Sequence, residues 1–311
     1  MSAATTTVAR HSSRSSGLPQ HQAERRLGRR LLLPTAILLT LMVGYPIVWA
    51  LRLSLFSDSI TGQTHLVGFD NYARALWGSD AVQFWAAVRD TALFTVAAGG
   101  LELVIGVAMA LVMSHLGVFR GLVRAMILVP WAIPTAVAAV LWKWMLTPNG
   151  IVNELLGRQI LWTGETTPAR TAVVLIDVWK TAPFVGLLVL AGLQLIPKDL
   201  YESAKIDGAG AVRRFRSITL PLVAPAILVA MLFRVLDLMR MYDTPAILTN
   251  GANGTATLSL FTYEHAIDQA KFGYGSALST LTFMLIFAAA FLIIRLCGVK
   301  VFASDREGSG G

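Results

Sequence analysis

Cysteine is all but missing from this chain: Cys297 is the only one among 311 residues. No intramolecular disulfide and no thiolate metal site can therefore be built. Charge is scarce too, with Asp, Glu, Lys and Arg making up 14% of the residues. No stretch has the form G-x-x-x-x-G-K-[ST], so the chain has no P-loop with which to cradle nucleotide phosphates. G-x-S-x-G and H-E-x-x-H do not occur either, which removes the usual sequence signs of a hydrolytic nucleophile or a catalytic zinc. His115, His65, His265 and the two tail histidines are isolated, without metal-ligand spacing. Nothing here points to an enzyme or to a resident metal or cofactor. The formal charge of +8 would suit nucleic acid, but the basic residues lie between apolar runs with no aromatic interleaving, so no nucleic acid is expected as a partner.

What the chain has instead is long apolar runs. Hydrophobic residues form 55% of it, gathered into segments at 31–56, 91–113, 123–146, 171–195, 221–241 and 276–297. Each is near the ~20 residues needed to cross a bilayer core. The expected fold class is all-α, a polytopic membrane protein with six transmembrane helices. Residues 1–30, rich in Ser, Thr, Ala and Arg, read as a disordered basic tail, and 298–311 as a flexible C-terminal tail. The first apolar run is too long for a signal-peptide core of roughly 7 to 15 residues and lacks a prompt cleavage site, so it is expected to remain as an anchor. Pro34 and Pro46 predict a kink in it. Pro130 and Pro134 predict a bent third span. Outside the spans, 16 basic residues fall on the side of the two tails and the 196–220 loop, against five in the alternate loops. The positive-inside rule thus expects both termini in the cytoplasm of a cell's inner, plasma membrane.

The longest charged break between apolar segments is IPKDLYESAKIDGAGAVRRFRSITLPLVAP, 196–225. Asp199 and Glu202 have the spacing of a helix N-cap with its reciprocal acid, predicting a short helix over 200–206. Gly208 supplies a left-handed residue to end it. A second helix is expected from Ala211 to Ser217, and Pro221 is expected to open the next span.

Glu202, Ala204, Asp207, Gly208, Ala209, Phe215, Ile218, Leu220, Pro221 and Pro225 fit the signature E-A-A-x-x-D-G-A, then F-x-x-I-x-L-P-x-x-x-P, with Ser203 in place of the middle Ala. This resembles the EAA loop of the permease subunits of ABC importers. The flanking segments are similar as well: Gly68-Phe69-Asp70-Asn71-Tyr72, Asn149-Gly150-Ile151-Val152-Asn153, Leu248-Thr249-Asn250-Gly251, and Gly273-Tyr274 with Ala277. The resemblance covers 31–297, the permease domain. It points to the carbohydrate-importing branch, similar to maltose and glycerol-phosphate permeases, and most of all to trehalose importers. Where that branch reads Gly-Gly-Pro after Leu-Thr, this chain has Gly251-Ala252-Asn253. The resemblance implies a type I permease fold, a second permease subunit, two ATPase subunits that bind the ATP and Mg, and an extracytoplasmic sugar-binding (lipo)protein. It implies that Glu202, Ser203, Ala204, Asp207, Gly208, Ala209 and Phe215 couple this chain to an ATPase.

Charged groups inside apolar spans are costly and mark cavities or partners. Asp177, Lys180, Thr181 and Phe184 fall at i, i+3, i+4 and i+7 on one helical face. Arg234, Asp237 and Met241 do the same in the next span. At ~1.5 Å per residue both groups sit roughly 20 to 25 Å from the 196–220 loop, so together they would line a polar cavity. Phe184 and Trp179 would stack on a sugar face. The resemblance implies sugar contacts for Asp177, Lys180, Thr181, Phe184 and Arg234, with Asp237 beside them. Alternatively, Asp177–Lys180 and Arg234–Asp237 are intrahelical ion pairs that neutralise one another. Glu102 ranks lower, as a hydrogen-bond partner of a neighbouring helix, and Lys143 reads as an interface anchor. The expected function is ATP-driven sugar import by alternating access, the sugar being a disaccharide such as trehalose. The rival is a proton-coupled secondary transporter using Glu102, Asp177 and Asp237.

Overall fold

The computed structural model describes residues 31–58, 65–115 and 120–295; the two expected tails, 1–30 and 298–311, lie outside them. Among the described residues there is no strand beyond one isolated bridge, Phe56 to Leu66, and the architecture is helical throughout. The chain divides into two compact units, Met1–Arg52 and Leu53–Gly311.

The first unit carries α1, Leu31–Leu53. It contains a π turn, Thr40–Gly44, in which the Tyr45 N–H bonds to the Thr40 carbonyl. Pro46 follows directly. A proline lacks the N–H of the helical ladder and its ring crowds the carbonyl four residues back, and a wider turn relieves both.

In the second unit, α2 (Asp70–Leu76) leads to α3 (Ala81–Ser114), α4 (Arg120–Ala132), α5 (Thr135–Met145) and α6 (Ile151–Leu156). Then come α7 (Thr166–Leu193), α8 (Lys198–Ile206), α9 (Ala211–Leu238), α10 (Asp243–Thr249), α11 (Leu258–Tyr263) and α12 (Phe272–Ile293). Among the described residues five helices, α1, α3, α7, α9 and α12, are long and apolar enough to span a membrane, and the α4–α5 pair, bent by 86°, meets the same measure when its two halves are taken together. The break falls at Pro134, whose backbone is extended. At 34 residues, α3 is about 51 Å long, well beyond the ~30 Å hydrocarbon layer.

The axis of this unit is the crossing of α3 on α7. A Cβ on Gly106 would lie 2.7 Å from Val185 Cγ1 and 3.0 Å from the Gly186 nitrogen, so only glycine permits that approach. Met113, Val185, Val189, Val223 and Ala230 form a core toward the 196–220 loop, while Phe94, Ala98, Ile176, Leu238 and Leu248 form another at the opposite end. Phe84, Leu258, Phe261 and Tyr274 join α3, α11 and α12.

Two expectations for the loop are corrected. Asp199 does not cap α8: Pro197 holds the N-cap position with no side-chain cap, and Asp199 lies within the first turn, where its charge favours the helix dipole. Pro221 does not open a span either. The helix begins at Ala211 and runs unbroken to Leu238, because a π turn at Phe215–Thr219, closed by Leu220 N–H on the Phe215 carbonyl, accommodates the proline as in α1.

The candidate binding site and the polar loop

Arg234 on α9 is the hub of the site. Its Nε donates to Glu102 Oε2 at 2.6 Å and its Nη2 to Glu102 Oε1 at 2.9 Å, a bidentate pair with α3. The same Nη2 reaches Asp177 Oδ2 on α7 at 2.7 Å, and Nη1 reaches Asp237 Oδ2 one turn along α9. One guanidinium therefore ties three helices through three carboxylates. The side-chain exposures are graded: 3% for Arg234, 0% for Glu102, 11% for Asp177 and 73% for Asp237. Thr181 Oγ1 lies 2.6 Å from Glu102 Oε1 and 2.5 Å from the Asp177 carbonyl, and its single proton serves one acceptor at a time. Burying such charges costs several kcal/mol per ion unless they are paired and hydrogen-bonded, and here the pairing is close to complete at the α3 side.

Of the two intrahelical pairs open on sequence grounds, Arg234–Asp237 forms and Asp177–Lys180 does not: Asp177 binds Arg234 instead. Lys180, 9% exposed, donates no hydrogen bond among the described residues. It lines a cavity of about 120 Å³ together with Thr135, Asp177, Thr181, Asp237, Arg240 and Asp243. Thr135 comes from the first turn of α5, so the break at Pro134 brings the third span to the site.

Phe184 is not among the cavity-lining residues. It stacks on Trp131 of α4, with centroids 5.6 Å apart and planes at 13°. Trp179 packs edge-on against Trp142. Both aromatics expected to face a sugar are thus engaged with the broken span. Lys143 donates from Nζ to the Ile247 carbonyl at 2.6 Å, pinning α5 to α10. The residue that sequence reasoning underrated is Glu102, whose only sequence signal is a lone carboxylate within an apolar run.

In the 196–220 loop, Asp207 caps α8, Gly208 takes φ +75° as expected, and Ala209 N–H bonds back to the Ala204 carbonyl at 2.8 Å. Glu202, Ser203, Asp207 and Gly208 are exposed, Ala204, Ala209 and Phe215 half-buried. Ile206, at 87% exposure, places an apolar group on the outward face.

At the opposite end, Arg170 Nη2 binds Asp90 at 2.6 Å and its Nε donates to the Gly254 carbonyl at 2.8 Å. The departure at 251–253 is accommodated: Asn253 adopts φ +56° and its amide donates to the Thr163 carbonyl at 2.8 Å. Asn153 accepts from Trp162 Nε1 at 2.9 Å and donates to the Ile160 carbonyl at 3.0 Å, closing the loop after α5. Asn71 donates to the Ser54 and Phe56 carbonyls, both at 2.9 Å.

Residues 102–302 match the family model of the binding-protein-dependent transport system inner membrane component. The chain is 38% identical to the trehalose transport system permease protein SugA of Mycobacterium tuberculosis, covering 92% of this chain and 93% of that protein. It is 37% identical to the trehalose/maltose transport system permease protein MalF of Thermococcus litoralis, with 88% and 94% covered. With the sulfoquinovosyl glycerol transport system permease protein SmoG of Agrobacterium fabrum it shares 35% identity over 89% and 92%. A subunit of a bacterial alginate ABC transporter, solved in complex with an alginate-bound periplasmic protein, superposes with TM-score 0.77 at 21% identity, over 90% of this chain and 97% of that one.

Proposed function

This chain belongs to the family of binding-protein-dependent transport system inner membrane components and is a permease subunit of a sugar ABC importer, and from that premise we propose that its solute is a neutral disaccharide such as trehalose. ATP hydrolysis belongs to a separate subunit. The relatives named for trehalose, at 38% and 37% identity, support the sugar. The single observation that carries the site is the Lys180 ammonium, unpaired beside a rigid buried ion network and opening into a polar cavity.

The charges around that cavity favour a neutral solute. Glu102, Asp177, Asp237 and Asp243 oppose Lys180, Arg234 and Arg240, leaving no surplus of positive charge for an acidic sugar. The cavity's 120 Å³ falls below the ~300 Å³ at which ligand pockets for whole small molecules begin. A second permease subunit supplies the facing wall. In this reading Lys180 and Asp237 hydrogen-bond hydroxyls while Arg234 and Glu102 hold the three helices in register. The 196–220 loop lies in the cytoplasm and Glu202–Ser217 receives the movement of an ATPase pair, each ATPase holding ATP and Mg, through the exposed Glu202, Ser203 and Ile206. Ala204, Asp207, Gly208, Ala209 and Phe215 keep that helix turn in shape. An extracytoplasmic sugar-binding protein delivers the sugar at the other end. Alternating access then follows as rigid-body gating around the Arg234 network.

The test is uptake of labelled trehalose, maltose and a uronic acid by cells expressing the complete importer, with Lys180→Ala. A charge-assisted hydrogen bond is worth about 1.5–3 kcal/mol, so the variant should weaken trehalose uptake at limiting sugar by about tenfold or more while the complex assembles normally. Unchanged uptake, or a wild-type preference for the uronic acid, overturns the assignment.

A further inference from the structure

A second and larger cavity, about 1060 Å³, lies at the loop end of the helices, remote from the Arg234 network. Its basic lining converges from four segments: His115 after α3, Arg124 on α4, Lys198 and Lys205 on α8, and Arg214 on α9. Among the described residues no carboxylate lines it. The remainder is largely apolar, with Leu111, Leu193, Ile196, Val212 and Phe215, so the cavity is amphipathic.

Arg124 supplies the second observation. Its Nε is buried and has no hydrogen-bond partner, an arrangement that costs about 1–3 kcal/mol for a polar group and more for a charged one. Lys198 and Lys205 likewise make no ion pair or hydrogen bond among the described residues, whereas Arg214 uses Nη1 on the Ala209 carbonyl at 2.8 Å. On α8 the spacing of 198, 201 and 205 turns Lys198, Tyr201 and Lys205 toward the cavity, while Ser203 and Ile206 point away and Glu202, one turn from each lysine, sits at the edge between the two faces. The helix therefore presents one face for a protein partner and another, strongly cationic, to the body of the chain.

We propose that this cavity binds a phosphoryl anion, of the kind carried by an acidic phospholipid headgroup. A tetrahedral group with several acceptor oxygens can satisfy donors arriving from four directions, which one carboxylate cannot, and such charge-assisted bonds are the strong ones. The apolar part of the lining suits the glycerol and first acyl carbons, and basic pockets between spans on the cytoplasmic side are suited to acidic headgroups. Occupancy would brace α8 against α3 and α4, so the lipid would set how firmly the ATPase contact is held. The lipid source rests on the cytoplasmic placement of this loop proposed above; anion binding itself does not.

The complete detergent-purified importer should be incubated with phosphatidylglycerol or phosphatidylcholine, and retention read by native mass spectrometry. Wild type should retain phosphatidylglycerol in preference, and both Arg124→Ala and the double variant Lys198→Ala/Lys205→Ala, whose side chains are exposed, should lose it by about tenfold. Displacement by millimolar inorganic phosphate identifies free phosphate as the source, and resistance to it identifies the lipid. Equal retention of the two lipids, no retention with the ATPase subunits in place, or retention unchanged in the double variant overturns the proposal. Labelling of Ser203→Cys in a Cys297→Ser background from one side of sealed vesicles tests the orientation separately.

Discussion

Removing Arg234 should be the most damaging single change in the membrane interior of this protein. Arg234→Ala strips Glu102 of both its charged donors and leaves a carboxylate with 0% exposure facing only the Thr181 hydroxyl. Breaking a buried pair in this way costs about 3–5 kcal/mol. The exposure gradient makes the expectation sharper than a single number. A double-mutant cycle between Arg234 and Glu102 should give a coupling of about 3 kcal/mol. The cycle with Asp237, whose side chain is 73% exposed, should fall below about 1 kcal/mol although its ion pair is shorter. The assay is denaturant or thermal unfolding of the purified complex in detergent, with complex assembly measured in parallel. Arg234→Met with Glu102→Met should recover much of the loss, since apolar replacement of a buried pair is often neutral. An Asp237 coupling equal to or above that of Glu102 would refute the buried network as drawn.

Further outcomes are expected elsewhere. Gly208→Val places a β-branched residue at φ +75°, at a cost of about 1–2 kcal/mol, and should raise the ATP hydrolysed per sugar imported without removing the subunit from the membrane; an unchanged ratio would remove the loop's coupling role. Glu202→Ala should shift that same ratio with no loss of stability, because its side chain is exposed, and a pure stability loss would contradict its role. Burial pushes the Asp80 carboxyl up, but the Ser79 hydroxyl and the Arg74 guanidinium more than offset this and hold it below the usual carboxylate range. Because the folded value is depressed, this contribution is present above the unfolded pKa near 3.8 and is lost as pH falls through the folded one. Asp80→Asn should therefore lower the midpoint at pH 7 and flatten its fall toward pH 3; parallel curves would contradict it.

Much of the fold is legible in the sequence because lipid enforces simple rules. Five of the six apolar runs form helices long and apolar enough to span a membrane, and Pro134 announced the break in the remaining one. Gly208 announced its left-handed turn. What sequence spacing could not convey is contact between distant segments. Periodicity pairs Asp177 with Lys180, yet Arg234, 57 residues away, takes Asp177, and Glu102, 132 residues away, takes Arg234. Phe184 shares a face with Asp177 on a straight helix, but Trp131 on the broken span draws it off. Local rules also misjudged Asp199, where a proline N-cap displaced the acid by two positions, and Pro221, where a π turn let the helix run through. In each case the competing element is tertiary or depends on backbone geometry that residue type alone does not specify.

Sugar movement through this chain should draw on ATP as its energy source. The complete importer, reconstituted in vesicles with labelled trehalose and its binding protein outside and ATP inside, should accumulate sugar only while ATP is present and should be indifferent to a proton uncoupler. Accumulation that persists without ATP and collapses with the uncoupler would contradict it, and would instead give Glu102, Asp177 and Asp237 the task of carrying protons.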